Sequence, residues 1–246
     1  MKSWARQILA SVLVNSVYEM KNYPVVLLNT VLSPLSFLLV IAFVSRGQLI
    51  GEAIEGGFIM SMFQSGMSLQ GDLSHLKNDF KLQDMVVSSP TAPAAYVSGM
   101  ALAEIIYSLP ALVVLTILAA IYIHPGVVQA LELLCVFLLM FLASVTLGFT
   151  LSTFSSDIVQ SFAFSRLIST LFSTLPPVYY PITYIPLPYR YIAYLSPTTY
   201  AAEIAQSAAG LVPLSTIETA VAWVVMLAVA AVLSLIAVKK ARWREV

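Results

Sequence analysis

Apolar residues in this chain gather into long uncharged runs separated by short polar stretches, a pattern unlike the narrow apolar stripe of a soluble amphipathic helix. A helix needs about 20 mostly apolar residues to cross a bilayer. By that measure, residues 24–44 predict a first span, 98–123 a third, 127–152 a fourth, 158–175 a fifth and 219–238 a sixth. The second, 56–71, is short and carries Ser61, Gln64, Ser65 and Gln70. It reaches crossing length only with Glu52 and Glu55 in the headgroup layer. Pro34 and Pro110 fall inside predicted spans and are expected to interrupt them.

The polar stretches have patterns of their own. At the start, Trp4, Ile8 and Val12 repeat at helical spacing beside Lys2 and Arg6, so residues 1–21 predict a helix lying on the membrane surface; the alternative is an unordered tail. Asn15, Ser16, Glu19 and Lys21 break the apolar run too early for a cleavable signal peptide. The longest polar segment is "GDLSHLKNDFKLQDMVVSSPTAP" at 71–93. Leu69, Leu73, Leu76 and Phe80 form one helical stripe, with Asp72, His75, Asp79 and Lys81 opposite. A short amphipathic helix of this kind fits a groove on a soluble partner. It would equally lie on lipid.

Residues 179–200, "YYPITYIPLPYRYIAYLSPTTY", hold seven of the twelve tyrosines. Uncharged residues run from 167 to 189, long enough to prolong the fifth span. Yet Pro176, Pro177, Pro181, Pro186 and Pro188 repeatedly remove helix donors. Lipid tolerates irregular backbone only where protein or water covers it. Residues 176–210 therefore predict an outer re-entrant hairpin at the interfacial depth that tyrosine prefers. Tyr179, Tyr180 and Tyr184 are candidates for a gate. An aromatic belt that only anchors the chain is the other reading.

Composition changes the picture by exclusion. Of 246 residues, 59% are hydrophobic and 10% charged, against about 25% charged in soluble domains. The expected fold is an all-α polytopic membrane protein, one transmembrane domain over residues 1–246 with six spans. Twelve basic and twelve acidic residues cancel, so nothing points to nucleic acid. Lys and Arg accumulate on the cytoplasmic side of membrane proteins. Six spans put nine of the twelve on one side (Lys2, Arg6, Lys21, Lys77, Lys81, Lys239, Lys240, Arg242, Arg244), and only Arg46 and Arg190 on the other. Both termini are thus expected in the cytoplasm, in a multi-pass protein of the plasma membrane. A seventh crossing would destroy the asymmetry.

Charges inside membrane segments are functional candidates by default. Arg166 lies within the fifth span, where it snorkels to the headgroups, pairs with Glu104 or meets a substrate. Glu132 falls near the outer start of the fourth span, where an interfacial position suffices. Gln64, Ser65, Ser68 and Gln70 either line a pathway or hold helices together. Catalysis finds no support: His75 and His124 fall on opposite sides of the membrane, there is no H-E-x-x-H, and the lone Cys135 has no histidine at its depth.

The order of these features resembles the membrane subunit of type-2 ABC exporters. Three stretches carry the likeness: "NYPVVLLNTVLSPLSFLLVIAFV" (22–44), "FQSGMSLQGDLSHLKNDFKLQDMVVSSPTAPAAYVSGMALAEII" (63–106) and "PPVYYPITYIPLPYRYIAYLSPTTYAAE" (176–203). Two departures stand out. Asn78–Asp79–Phe80–Lys81 replaces the family's frequent Arg-x-x-Gly, and the loop between spans four and five has Asp157 as its only charge. The resemblance implies a permease dimer, here a homodimer, with two separate ATPase subunits and a substrate path between the permeases. Residues 72–87 become a cytoplasmic coupling loop, with Leu73, Leu76, Lys77, Phe80, Lys81 and Asp157 expected at the ATPase. The sequence has no G-x-x-x-x-G-K-[ST] and hence no phosphate cradle. ATP and Mg are expected on the partner, and no cofactor on this chain. A secondary transporter or channel working without an ATPase is the rival reading. Drugs, lipids and polysaccharides all remain open as cargo.

Overall fold

A computed structural model describes residues 4–78, 93–155, 157–174 and 176–240, and every regular element among them is helical. Helix α1 (Trp4–Val12) continues through a π-helical turn (Leu13–Val17) into α2 (Tyr18–Asn22). Long helices follow: α3 (Pro24–Val44), α4 (Ile50–Asn78), α5 (Pro93–Tyr122), α6 (Val127–Phe154) and α7 (Ile158–Thr174). A 3₁₀ turn (Ile182–Tyr184), a single turn α8 (Arg190–Ala193) and α9 (Pro197–Ala208) precede α10 (Thr216–Lys240).

Local chemistry sets the boundaries. Pro24, Pro93 and Pro197 open their helices, where a missing N–H costs nothing. The Asp157 carboxylate accepts from the Gln160 N–H at 2.7 Å and caps α7. Ser215 and Glu218 form a reciprocal capping box at α10: the Ser215 N–H donates to Glu218 at 2.8 Å, and the Glu218 N–H donates to the Ser215 hydroxyl at 3.2 Å. The turn from α3 to α4 passes through left-handed backbone at Arg46 (φ 53°) and Gly47 (φ 85°).

Among the described residues, three helices are long and apolar enough to cross a membrane: Ala95–Tyr122, Val127–Phe154 and Thr216–Lys239, with Thr30–Val44 a shorter apolar helix. Large apolar side chains cover the outside, among them Phe43, Val44, Val127, Leu195 and Val238. A surface of that kind is stable only against lipid or protein. The chain is a membrane protein.

Helix α4 is the axis of the bundle. It packs against α3, α5, α6, α7 and α9, and Ile59, Met60, Phe63 and Met67 form one core with Val136, Met140, Ala201, Ala205 and Met226. Its tightest seam is with α6. A Cβ on Gly66 would stand 1.9 Å from the Ser144 hydroxyl, and one on Gly148 would stand 2.7 Å from the Gly66 carbonyl. The Ser144 hydroxyl donates across this seam to the Met62 carbonyl at 3.1 Å. Small residues that let backbones touch are how membrane helices associate without a hydrophobic drive between them.

Helix α4 also departs from its expected limits. It starts before residue 56 and runs past 71, and Glu52 and Glu55 are buried (8% and 0% exposed) instead of meeting headgroups. Because protein covers most of α4, polar residues such as Glu52, Glu55, Ser61, Ser65 and Gln70 face other helices, and its modest hydropathy does not mark a short element. Helices α3 and α5 run through Pro34 and Pro110 without a break. Neighbouring helices can absorb a proline's lost hydrogen bond.

Candidate functional site

One line of α4 is uncovered. Gln64, Ser68 and Asp72, at i, i+4 and i+8, are exposed on a helix buried nearly everywhere else between residues 52 and 70. They face a groove of about 340 Å³ between α3, α4 and α5, to which α3 adds Thr30, Ser33 and Pro34 and α5 adds Glu104, Tyr107 and Ser108. The groove is bound together by its own side chains. The Ser68 hydroxyl donates to both the Ser65 carbonyl and the Glu104 carboxylate, which is itself buried. Ser33 reaches the Gln64 side-chain oxygen at 3.5 Å, the outer limit of a hydrogen bond.

Of the pathway residues expected from sequence, the structure brings Gln64, Ser65 and Ser68 together here, and adds Glu104. Arg166 is exposed on α7 and is absent from the groove lining. Gln70 acts as helix glue, its amide donating to the Ser161 carbonyl at 2.8 Å and tying α4 to α7. Sequence reasoning missed Thr30, Ser33, Tyr107 and Ser108. Their only signal is isolated polar residues within apolar runs, and no linear pattern connects three separate helices.

The tyrosine-rich stretch caps the bundle where α4 begins. Gly56 of α4 lies under it, so close that a Cβ would meet the Val178 carbonyl at 2.5 Å. Tyr179 is buried and stacks on Phe37 at 5.3 Å, Tyr180 is half-buried, and Tyr184 is exposed. The three expected gate residues thus occupy different environments. Arg190 folds back onto the carbonyls of Ile185 (2.6 Å) and Thr183 (2.8 Å), satisfying backbone in a segment poor in helix. Deeper in, the Tyr194 hydroxyl donates to Glu203 at 2.9 Å, and the Tyr194 and Tyr200 rings lie 5.5 Å apart. Burial pushes the Tyr194 phenol up to about 12, helped by the neighbouring Glu203 charge. Burial also raises the Glu203 carboxyl, against the Tyr194 hydrogen bond that lowers it.

At the opposite end, Leu73 lies on α4, whose last turns extend the leucine stripe through Asn78. Leu76 and Lys77 belong to those turns, although their side chains are not described, and Phe80 and Lys81 lie outside the described residues. Asp157 is exposed and serves as the α7 cap. Helix α1 packs on α5 at this same end, where Gly99 faces Ser11.

A helical bundle with so apolar an exterior is an integral membrane protein. The family model for the ABC-2 type transporter matches residues 7–209. That stretch is most of the chain, which belongs to the ABC-2 type transporter family as the membrane component of an ABC transporter and is not itself catalytic. No curated protein matches it.

Proposed function

We propose that the chain is the transmembrane subunit of an ATP-driven exporter in the plasma membrane, working as a homodimer with two separate ATPase subunits that hold ATP and Mg. The observation that carries this reading is the family match over residues 7–209. In this reading six helices span the bilayer, α3 to α7 and α10, with both termini in the cytoplasm. Helices α1 and α2 lie at the cytoplasmic interface, and residues 176–210 re-enter from outside.

The geometry supplies a mechanism. Helix α4 is unbroken from the leucine stripe to the tyrosine hairpin, roughly 40 Å at 1.5 Å per residue. ATPase closure acts on residues 72–87, and α4 transmits that movement past the groove to its contact with Val178 and Tyr179. Such a push biases access only if the ATPase binds the two permease states differently. The groove then supplies one protomer's share of the lining.

The test is complex formation and transport with the partner ATPase. Leu73→Asp is expected to cut ATPase co-purification at least about tenfold, since a charge in an apolar contact costs well over 1.4 kcal/mol. The permease itself should still elute as a folded species. Transport should also stop when the partner's P-loop lysine is replaced. Transport by the purified permease alone, driven by an ion gradient, would instead establish a secondary transporter.

A further inference from the structure

A second cavity lies at the hairpin end of the bundle and shares no lining residue with the polar groove. Helices α5 and α6 are joined by the short turn 123–126 and both pack on α4, yet they hardly touch one another. The crevice between them measures about 500 Å³, within the range of small-molecule sites. Its rim is formed by exposed residues of the two helices, Ala120 on α5 and Leu134 on α6 among them. On helices apolar enough to cross a bilayer, such a rim admits a ligand from the lipid.

Helix α4 supplies the floor, with Glu55 in it. Both carboxylate oxygens are buried, and neither has a hydrogen-bond partner. Such groups are rare in native structures and costly to keep. No hydrogen bond holds this carboxyl in place, so it can turn toward a ligand without breaking one. The remaining lining is mainly apolar, with Phe58 and Phe137 stacked at 4.9 Å. The Thr116 hydroxyl already donates to the Leu112 carbonyl at 2.7 Å. His124 is exposed where α5 turns into α6, and no lysine or arginine is among the described lining residues.

This setting discriminates among ligands. An anion meets a carboxylate at the floor. A bare metal ion needs a close shell of oxygens, and Glu55 is the only carboxylate among the described lining residues. An alcohol donates once and leaves the charge uncompensated, while a quaternary ammonium brings charge but no N–H for the bare oxygens. A primary ammonium supplies both, and aromatic walls favour a cation. A phospholipid amine would bring its phosphate into a crevice with no described lysine or arginine to receive it. We propose that this crevice is a binding site for free lipophilic primary amines, compact apolar bodies bearing one ammonium group, with Glu55 as the counter-ion. The site does not depend on the exporter reading.

The experiment measures equilibrium binding of tritiated 1-aminoadamantane to the full chain in phosphatidylcholine nanodiscs without ATPase, with empty discs as background. Saturable binding is expected, and the isosteric alcohol 1-adamantanol should compete at least about tenfold more weakly, the scale of a desolvated charge pair. Glu55→Gln keeps the shape and removes the charge. It should weaken the amine by a similar factor, leave the alcohol unchanged and abolish the rise in thermal midpoint that the amine gives the unaltered chain. Ala120→Trp fills the rim from an exposed position while keeping Glu55, and should block binding at an unchanged midpoint of the ligand-free protein. Equal affinity for amine and alcohol, or undiminished amine binding in both variants, overturns the proposal. Loss of binding in His124→Ala but not in Glu55→Gln would move recognition to the rim and overturn it as well. Discs containing phosphatidylethanolamine should bind the amine equally well; competition by that lipid would overturn the free-amine assignment in favour of a headgroup.

Discussion

Glu55 sits in the second turn of α4, with both carboxylate oxygens buried and without a hydrogen-bond partner. Leaving a buried polar group unsatisfied costs about 1–3 kcal/mol, and more if it is charged. Replacing it with an apolar side chain of similar length removes that cost. Glu55→Leu is therefore expected to raise the thermal midpoint of the solubilised protein, by an amount worth about 1–3 kcal/mol. A lowered midpoint would mean that the carboxyl holds a stabilising partner. Glu203 poses the opposite case, a half-buried carboxyl that has found a donor in Tyr194. Its raised value means the folded state keeps the proton more tightly than the unfolded one. Its contribution to stability is thus complete below the ordinary carboxyl value and is lost as pH rises through the folded value. Tyr194→Phe removes the donor that favours the carboxylate and raises Glu203 further. The variant should lose about 1–2 kcal/mol above the folded value, where the bond is charge-assisted, and less in acid. Denaturation at several pH values would check this, and a loss independent of pH would reduce the pair to ordinary packing.

Among the elements, the seam between α4 and α6 depends most on a single atom. A Cβ on Gly66 meets the Ser144 hydroxyl at 1.9 Å and the Val145 backbone nitrogen at 2.6 Å, and backbone cannot turn aside. Gly66→Ala should force the helices apart and cost about 3 kcal/mol, at the upper end of overpacking penalties. Gly71→Ala, five residues on, meets only the Phe162 ring at 3.5 Å. It should be neutral or stabilise by up to about 1 kcal/mol through helix propensity. Thermal midpoints of the two variants compare directly; equal tolerance at both would show that the seam is loose. This seam was not legible in the sequence, where Gly66, Ser144 and Gly148 look like any small residues in apolar runs. The apolar runs themselves were legible: 127–152 is nearly the whole of α6, and 158–175 closely matches α7. For α4 hydropathy misled, because polarity facing protein reads the same along the chain as polarity facing water. The groove was half visible for a related reason. Gln64 and Ser68 share a face of one helix, which periodicity can find, while Ser33 and Ser108 join them only through packing.

The bundle as a whole has two unlike ends joined by α4. The starting end carries the hairpin, seated on Gly51 and Gly56 through Leu211 and Val178. The finishing end carries the leucine stripe, with α1 packed on α5 and the α7 cap nearby. The charge count along the sequence divides at the same place. Arg46 and Arg190 belong to the hairpin end, and Arg6 and Lys77 to the other. Positive residues resist translocation, so the hairpin end is expected outside and the stripe end in the cytoplasm. Cys135 is the only cysteine, so Cys135→Ser gives a background for single-cysteine labelling. In intact cells a membrane-impermeant maleimide should label Gln48→Cys and Tyr189→Cys, whose native side chains are exposed at the hairpin end. Arg6→Cys and Arg244→Cys should label only after permeabilisation. Labelling of all four from outside would rule out a cytoplasmic stripe and remove the ATPase from the place where α4 can feel it. Labelling of Arg244→Cys but not Arg6→Cys would require an odd number of crossings, and the hairpin would then be a span.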